Sequence, residues 1–173
     1  MPELTKLERF EQIVMPHTNA AYNLARWLMR NEQDAEDAVQ EAFLRAFRFF
    51  DGFQGVDGRA WLLAIVRNTC RSWFHRTAKE APAEIDEVTL SCPAPNAEAR
   101  MLRQADIDDV RGCIEELPAE YRDTIVLREM EEMSYKEIAE VLSAPIGTVM
   151  SRLARARARL QDCLMLKVKG TRA

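Results

Sequence analysis

A chain of 173 residues with a formal net charge of −4 and a pI near 5.4 has room for one medium domain or two small ones. Its acidity excludes a protein that coats nucleic acid indiscriminately. No segment is long and apolar enough to span a membrane, and MPELTKLERFEQ lacks the basic start and apolar run of a signal peptide. A cytoplasmic protein without direct membrane insertion is therefore expected. Abundant Ala, Leu, Glu and Arg beside only 6 Gly suit an all-helical fold. The charge is unevenly spread: residues 59–79 hold five Lys or Arg and no acid, 84–132 hold fourteen acids against five Arg, and 148–173 hold seven Lys or Arg and one acid. Basic segments can meet phosphates while the acidic one meets a basic protein surface.

Phe10, Ile13 and Val14 open the first helix, and Tyr22, Leu24, Ala25, Leu28 and Met29 continue the apolar pattern after Pro16. Asn31 is placed to cap the next helix. There Ala35, Ala38, Val39, Ala42, Phe43, Ala46, Phe47 and Phe50 form a regular stripe expected to pack inward. Its other side carries Glu32, Asp34, Glu36, Asp37 and Glu41, then Arg45 and Arg48. Acids early and bases late suit the helix dipole, and the same face can serve for docking.

After the turn signals Asp51-Gly52 and Asp57-Gly58, a helix is predicted over 59–79. Leu62, Ile65, Val66, Thr69 and Trp73 share one side, leaving Arg67, Asn68, Arg71, Phe74 and His75 on the other, with Trp61 at the boundary. Guanidinium groups for phosphates, flat rings for unstacked bases and an amide for a base edge are what single-stranded nucleic acid requires. Trp61 and Trp73 read as core residues.

Residues 80–97 lose periodicity and contain Pro82, Pro93 and Pro95, which marks a flexible linker. Beyond it Val110, Cys113, Ile114 and Leu117 outline a helix ended by Pro118, and 121–130 form another. Ser134 followed by Glu137 is a capping box that starts a helix at Tyr135. Ile138, Ala139, Val141 and Leu142 are its apolar face, and Ala144-Pro145-Ile146-Gly147 interrupts it. Thr148 is a candidate second N-cap, followed by an inward stripe of Val149, Leu153, Ala156 and Leu160. Met150, Ser151, Arg152, Arg155 and Arg159 lie opposite. Two short helices around a tight turn, the second filling with arginine, present a helix-turn-helix for DNA; the alternative is a surface helix that its arginines merely solvate. Cys70, Cys92, Cys113 and Cys163 are scattered, with no CxxC pair and only His17 and His75 beside them. They read as reduced thiols, with no metal, cofactor or disulfide framework. No paired carboxylates or nucleophile with base appear either, so the chain does not read as an enzyme and no small-molecule substrate is expected.

Three motifs in order, DAEDAVQEAFLRAF, GRAWLLAIVRNTCRSWF and LPAEYRDTIVLREMEEMSYKEIAEVLSAPIGTVMSRLARARARL, separated by one proline-containing linker, resemble the extracytoplasmic-function class of bacterial sigma factors, group 4 of the sigma-70 family. The resemblance implies two small helical domains, 1–79 of region 2 type and 98–173 of region 4 type, joined by 80–97, with the helix-turn-helix in the second. It also implies promoter specificity within RNA polymerase and no catalysis. By that resemblance Asp34, Asp37, Gln40 and Glu41 dock on the beta-prime coiled coil, while the second domain meets the beta flap. Asn68 lies near the flipped base of the minus-ten strand, with Arg67 and Arg71 on the backbone and Phe74 supporting melted bases. Thr148, Ser151, Arg152, Arg155 and Arg159 fall on the reader of the minus-thirty-five duplex. Met150 departs from the family, which often has lysine or arginine there. An anti-sigma partner is implied as well. Two other readings remain at this stage: a dimeric helix-turn-helix regulator, and a helical mimic that sequesters a regulator.

Overall fold

A computed structural model of the chain describes residues 3–55, 57–80 and 97–171, with side chains described over 3–55, 57–77 and 101–170. Eight α-helices and no strand are present among the described residues: α1 Lys6–Ile13, α2 Thr18–Leu28, α3 Glu32–Phe49, α4 Gly58–Glu80, α5 Ala97–Glu116, α6 Ala119–Glu129, α7 Tyr135–Leu142 and α8 Ile146–Thr171. Of the linker expected over 80–97, Glu80 is the last residue of α4 and Ala97 the first of α5, because both helices run on to the edges of the stretch; 81–96 lie outside the described residues.

Local chemistry sets the boundaries. Thr5 and Glu8 cap α1 reciprocally, and Asn31 Oδ1 accepts the Asp34 amide to start α3. Pro16 sits in a short 3-10 turn between α1 and α2, where its missing N–H is tolerated. Ala35, Ala38, Ala42 and Ala46 are wholly buried, and their small side chains let α2 and α4 lie close against α3. At one end Phe10 meets Phe47 and Phe50 edge-on, while Phe53 stacks on Phe50 and touches Trp61. Phe47 corrects the inward stripe: it remains 39% exposed, covering Phe10 from outside with Lys6 above its ring.

Gly58 opens α4 because nothing larger fits. A Cβ there would stand 2.4 Å from the Ile13 carbonyl oxygen. Backbone cannot yield as a flexible side chain can, so Gly58→Ala is expected to cost about 1–3 kcal/mol and lower the thermal midpoint. An unchanged melt would contradict this close approach.

Helices α5–α8 gather around Ile114, Leu117, Ile125, Val126, Leu127, Met133, Ile138, Val141, Val149 and Leu153. Arg122 closes the end of α5, donating to the carbonyls of Ile114, Glu115 and Leu117 at 2.6–3.2 Å. Ser143, in left-handed backbone at φ 50°, ends α7, with its N–H and that of Ala144 turned back onto the helix. The turn expected to use Gly147 therefore uses Ser143, because α8 already begins at Ile146 and Gly147 is helical. Four unpaired thiols are also corrected. Cys113 on α5 and Cys163 on α8 are disulfide-bonded across 50 residues, a separation at which spacing carries no signal. Cys70 is free and buried, its thiol pushed up to about 12 by burial first and then by the charge of Asp123.

Candidate nucleic-acid interface

The helix-turn-helix is built by α7, the Ser143 turn and the first half of α8. The Ser134 amide donates to Glu137 Oε2 at 2.7 Å, and Ser134 Oγ accepts the Glu137 amide at 3.2 Å. These bonds to the Ser134 amide and hydroxyl hold the Glu137 carboxyl below its usual range. A depressed folded-state pKa gives stability that is present above the unfolded value and lost as pH falls through the folded one. Ser134→Ala is thus expected to destabilise the helix-turn-helix by about 1 kcal/mol and to lessen this acid-side loss without removing it, because the Ser134 amide still donates to Glu137; melting at pH 7 and pH 4 reads both effects. Equal melts for the two proteins at both pH values would contradict it.

Thr148 is not the N-cap. Its amide and that of Val149 donate to the Pro145 carbonyl, so α8 starts two residues earlier and Thr148 lies half-buried in its first turn. Val149, Leu153 and Ala156 face inward, as expected. Ser151, Arg155, Arg159 and Met150 are exposed. Arg152 is partly covered, 3.8 Å from Glu120, and Arg159 lies over the Tyr121 ring. Arg157, which the sequence did not single out, is turned aside to pair with Glu129 at 2.6 Å.

On α3, Gln40 is exposed while Asp34, Asp37 and Glu41 are half-covered. Asp34 accepts from the Asn31 side-chain amide at 2.8 Å and Asp37 from Gln33 at 3.3 Å. Glu41 is held between Arg45 and Arg76. Its partial burial works to raise the carboxyl pKa, but the two guanidinium groups prevail and lower it. Both Asp34 and Asp37 are thus engaged locally at the start of the helix, as a dipole argument anticipates, and the face still reaches solvent.

The α4 face differs most from its sequence reading. Asn68 is exposed and Phe74 half-buried, but Arg67 and Arg71 do not project into solvent. Both reach Asp123 on α6: Arg67 Nε donates at 2.7 Å and Arg71 Nε at 3.1 Å to the same Oδ2. Their side chains are 13% and 35% exposed, and that of Asp123 only 5%. Arg67 Nη1 also donates to Asn68 Oδ1 at 3.1 Å. Nothing in sequence marked Asp123, which lies in an acidic stretch that reads as solvated; only its place on the inner side of α6 singles it out. The contact between the two halves extends further. Arg59 on α4 reaches the backbone and carboxylate of Glu131, whose carboxyl burial raises while Arg59 pulls down. Arg111 on α5 donates to the Arg26 carbonyl at 2.7 Å and lies over Trp27. Trp61 and Trp73 are half-buried against the core. In this arrangement the helix-turn-helix face is open, while Arg67 and Arg71 of α4 are engaged by Asp123.

Among the described residues every regular element is a helix, and an open helix-turn-helix beside a second basic helix is the arrangement of a helical DNA-binding protein. Residues 13–80 match the family pattern Sigma-70 region 2, and residues 107–160 match Sigma-70, region 4. The ECF RNA polymerase sigma factor SigE of Mycolicibacterium smegmatis is 34% identical over 159 residues, which cover 90% of this chain but only 61% of that protein. The RNA polymerase sigma-H factor of Pseudomonas aeruginosa is 30% identical over 167 residues, covering 90% of this chain and 86% of that one. The sigma factor RpoE of Bartonella quintana, solved in complex with the anti-sigma factor NepR, superposes with a TM-score of 0.71 at 29% identity, covering 91% of this chain and 97% of that one. The ECF RNA polymerase sigma-E factor of Haemophilus influenzae is 33% identical over 152 residues, covering 80% of this chain and 78% of that one, and the chain belongs to the extracytoplasmic-function class of the sigma-70 family. No helix among the described residues is long and apolar enough to cross a membrane.

Proposed function

We propose that this protein is a cytoplasmic sigma factor that directs core RNA polymerase to specific promoters, without catalytic chemistry of its own, under control of an anti-sigma factor. The observation that carries the reading is the pairing, in one chain, of an open α7–α8 helix-turn-helix with an α4 helix that presents Asn68. Residues 1–79 form the polymerase-docking and minus-ten unit, 80–97 the linker and 98–173 the minus-thirty-five unit. Asp34, Asp37, Gln40 and Glu41 dock on the beta-prime coiled coil, and 98–173 meet the beta flap. Ser151, Arg152, Arg155 and Arg159 contact the minus-thirty-five duplex; Thr148, at the start of α8, approaches its backbone through the helix N-terminus.

Asn68 captures a base of the melted minus-ten strand, Phe74 supports its neighbours, and Arg67 and Arg71 hold its phosphates once released from Asp123. Duplex opening is driven by capture of the unpaired strand rather than by nucleotide hydrolysis. The covered state of Arg67 and Arg71, with the acidic α5–α6 segment beside them, supports weak promoter binding by the protein alone. Run-off transcription with core polymerase tests the function: transcripts from defined promoters support it. Tight, sequence-specific binding of promoter duplex at physiological salt without polymerase would instead support a stand-alone regulator.

A further inference from the structure

Cys113 and Cys163 are brought together by the fold, not by the sequence. Cys113 stands near the end of α5 and Cys163 in the second half of α8, and their Cα atoms are 5.8 Å apart, within the span a disulfide bridges without backbone movement. The helices meet closely here. A Cβ on Gly112, next to Cys113, would lie 3.0 Å from Lys167 Nζ, and that ammonium is 3.7 Å from Asp109 on α5. Cys163 lies eight residues beyond Arg155 on one uninterrupted helix, about 12 Å along its axis. Whatever fixes Cys163 therefore fixes the axial position and rotation of the segment that carries Ser151, Arg152 and Arg155.

Other anchors on this half of α8 are few. Met165, Leu166 and Val168 are exposed, and an open apolar groove runs between α6 and α8 along Ile125, Leu160, Leu164 and Met165. On the other side the last two turns of α5 are held, because Arg111 binds the Arg26 carbonyl and covers Trp27 while Ile114 is buried. A bond from α5 to Cys163 thus ties a loosely packed part of the reading helix to a post that is itself well fixed.

Both oxidation states are chemically provided for. Cys113 is 1% exposed, whereas Cys163 is half-buried and reachable. Glu116 Oε2 lies 3.6 Å from Cys163 Sγ, so a reduced Cys163 has an acceptor for its S–H.

We propose that Cys113 and Cys163 form a reversible oxidation site, a dithiol–disulfide couple that clamps the minus-thirty-five reading helix to α5. Hydrogen peroxide is the oxidant. Cys163 sulfur attacks one peroxide oxygen, the O–O bond breaks, and a sulfenic acid and one water result. Cys113 sulfur then attacks the Cys163 sulfur and displaces the hydroxyl, which leaves as a second water with the remaining thiol proton. Two thiols lose two electrons, one peroxide gains them, and a low-molecular-weight thiol reverses the step. Disulfides in reducing compartments are transient or redox-sensing, so the clamp is a switch where the protein is cytoplasmic; that setting and the promoter-reading role of α8 rest on the proposed function, whereas the Cys113–Cys163 couple does not.

The experiment uses the full chain, reduced and then exposed to hydrogen peroxide, with Cys113→Ala and Cys163→Ser as controls. Peptide mapping without reductant is expected to join the Cys113 and Cys163 peptides. The thermal midpoint of the oxidised wild type is expected to rise by roughly 10 °C, because the bond closes a long loop that contains α6 and α7. Cys163→Ser, at a half-buried position, keeps its fold and melts like reduced wild type with or without peroxide. No Cys113–Cys163 linkage, a preferred linkage to Cys92, or a linkage that leaves the midpoint unchanged would each overturn the proposal. None of these readouts needs polymerase or promoter, so their failure leaves the sigma-factor reading intact.

Discussion

Asp123→Ala is expected to raise the affinity of the free protein for single-stranded minus-ten DNA by tenfold or more, approaching a hundredfold. Asp123 is a nearly buried carboxylate whose one oxygen takes both Arg67 and Arg71. Removing it leaves two guanidinium groups beside α6 without their anion. Breaking one side of a buried ion pair costs about 3–5 kcal/mol, and that cost falls only on the arrangement in which the two halves are packed. In the separated arrangement the arginines are hydrated and the substitution is nearly silent. A binding-competent state that is scarce in the wild type therefore becomes common, and apparent affinity rises with its population.

The packing of α7 on α4, the Arg59–Glu131 contact and the Arg111–Arg26 bond persist, which keeps the gain below the full cost. Small-angle scattering should show a larger radius of gyration, and fluorescence anisotropy with a labelled oligonucleotide should show the tighter binding. Arg67→Ala provides the contrast, since it breaks the same pair but also deletes a phosphate contact, and so loosens the molecule without improving capture. If Asp123→Ala changes neither radius nor affinity, the pair does not govern access to α4.

Replacing Arg152 and Arg155 together by alanine is expected to abolish transcription from promoters that depend on the minus-thirty-five element. Each good bidentate contact of arginine to guanine contributes about 1–3 kcal/mol of discrimination, so losing two lowers initiation by roughly thirtyfold to some twenty-thousandfold. The fold should survive, because Val149, Leu153 and Ala156 hold α8 from its other side. Arg157→Ala is the internal control: its guanidinium pairs with Glu129 at a half-exposed surface, where such pairs contribute at most about 1 kcal/mol. Run-off assays should separate these variants while circular dichroism does not. Equal activity of the double variant and the wild type would remove α8 from promoter reading.

Features governed by near neighbours were legible in the chain. The Ser134–Glu137 box, the Asn31 cap, the break at Pro16 and the alanine stripe of α3 each depend on residues within a few positions of one another, and each is present. The start of α8 was misread because Thr148 has the chemistry of a cap, yet Pro145 and the left-handed Ser143 close the turn earlier. A threonine can cap or can sit in a first turn, and only the path of the backbone decides which.

By itself the sequence determined that the protein is all-helical, that it carries a capped helix-turn-helix with arginine on its outer face, and to which family it belongs. Helical periodicity, caps and ordered motifs are local, and the order of neighbouring residues suffices to express them. The tertiary structure alone decided that Asp123 covers Arg67 and Arg71, and that Cys113 lies against Cys163. Those contacts join residues about fifty positions apart, whose meeting depends on how α4 lies on α6 and α5 on α8. No pattern along the chain encodes such a distance, because it is set by the packing of whole helices rather than by the spacing of residues.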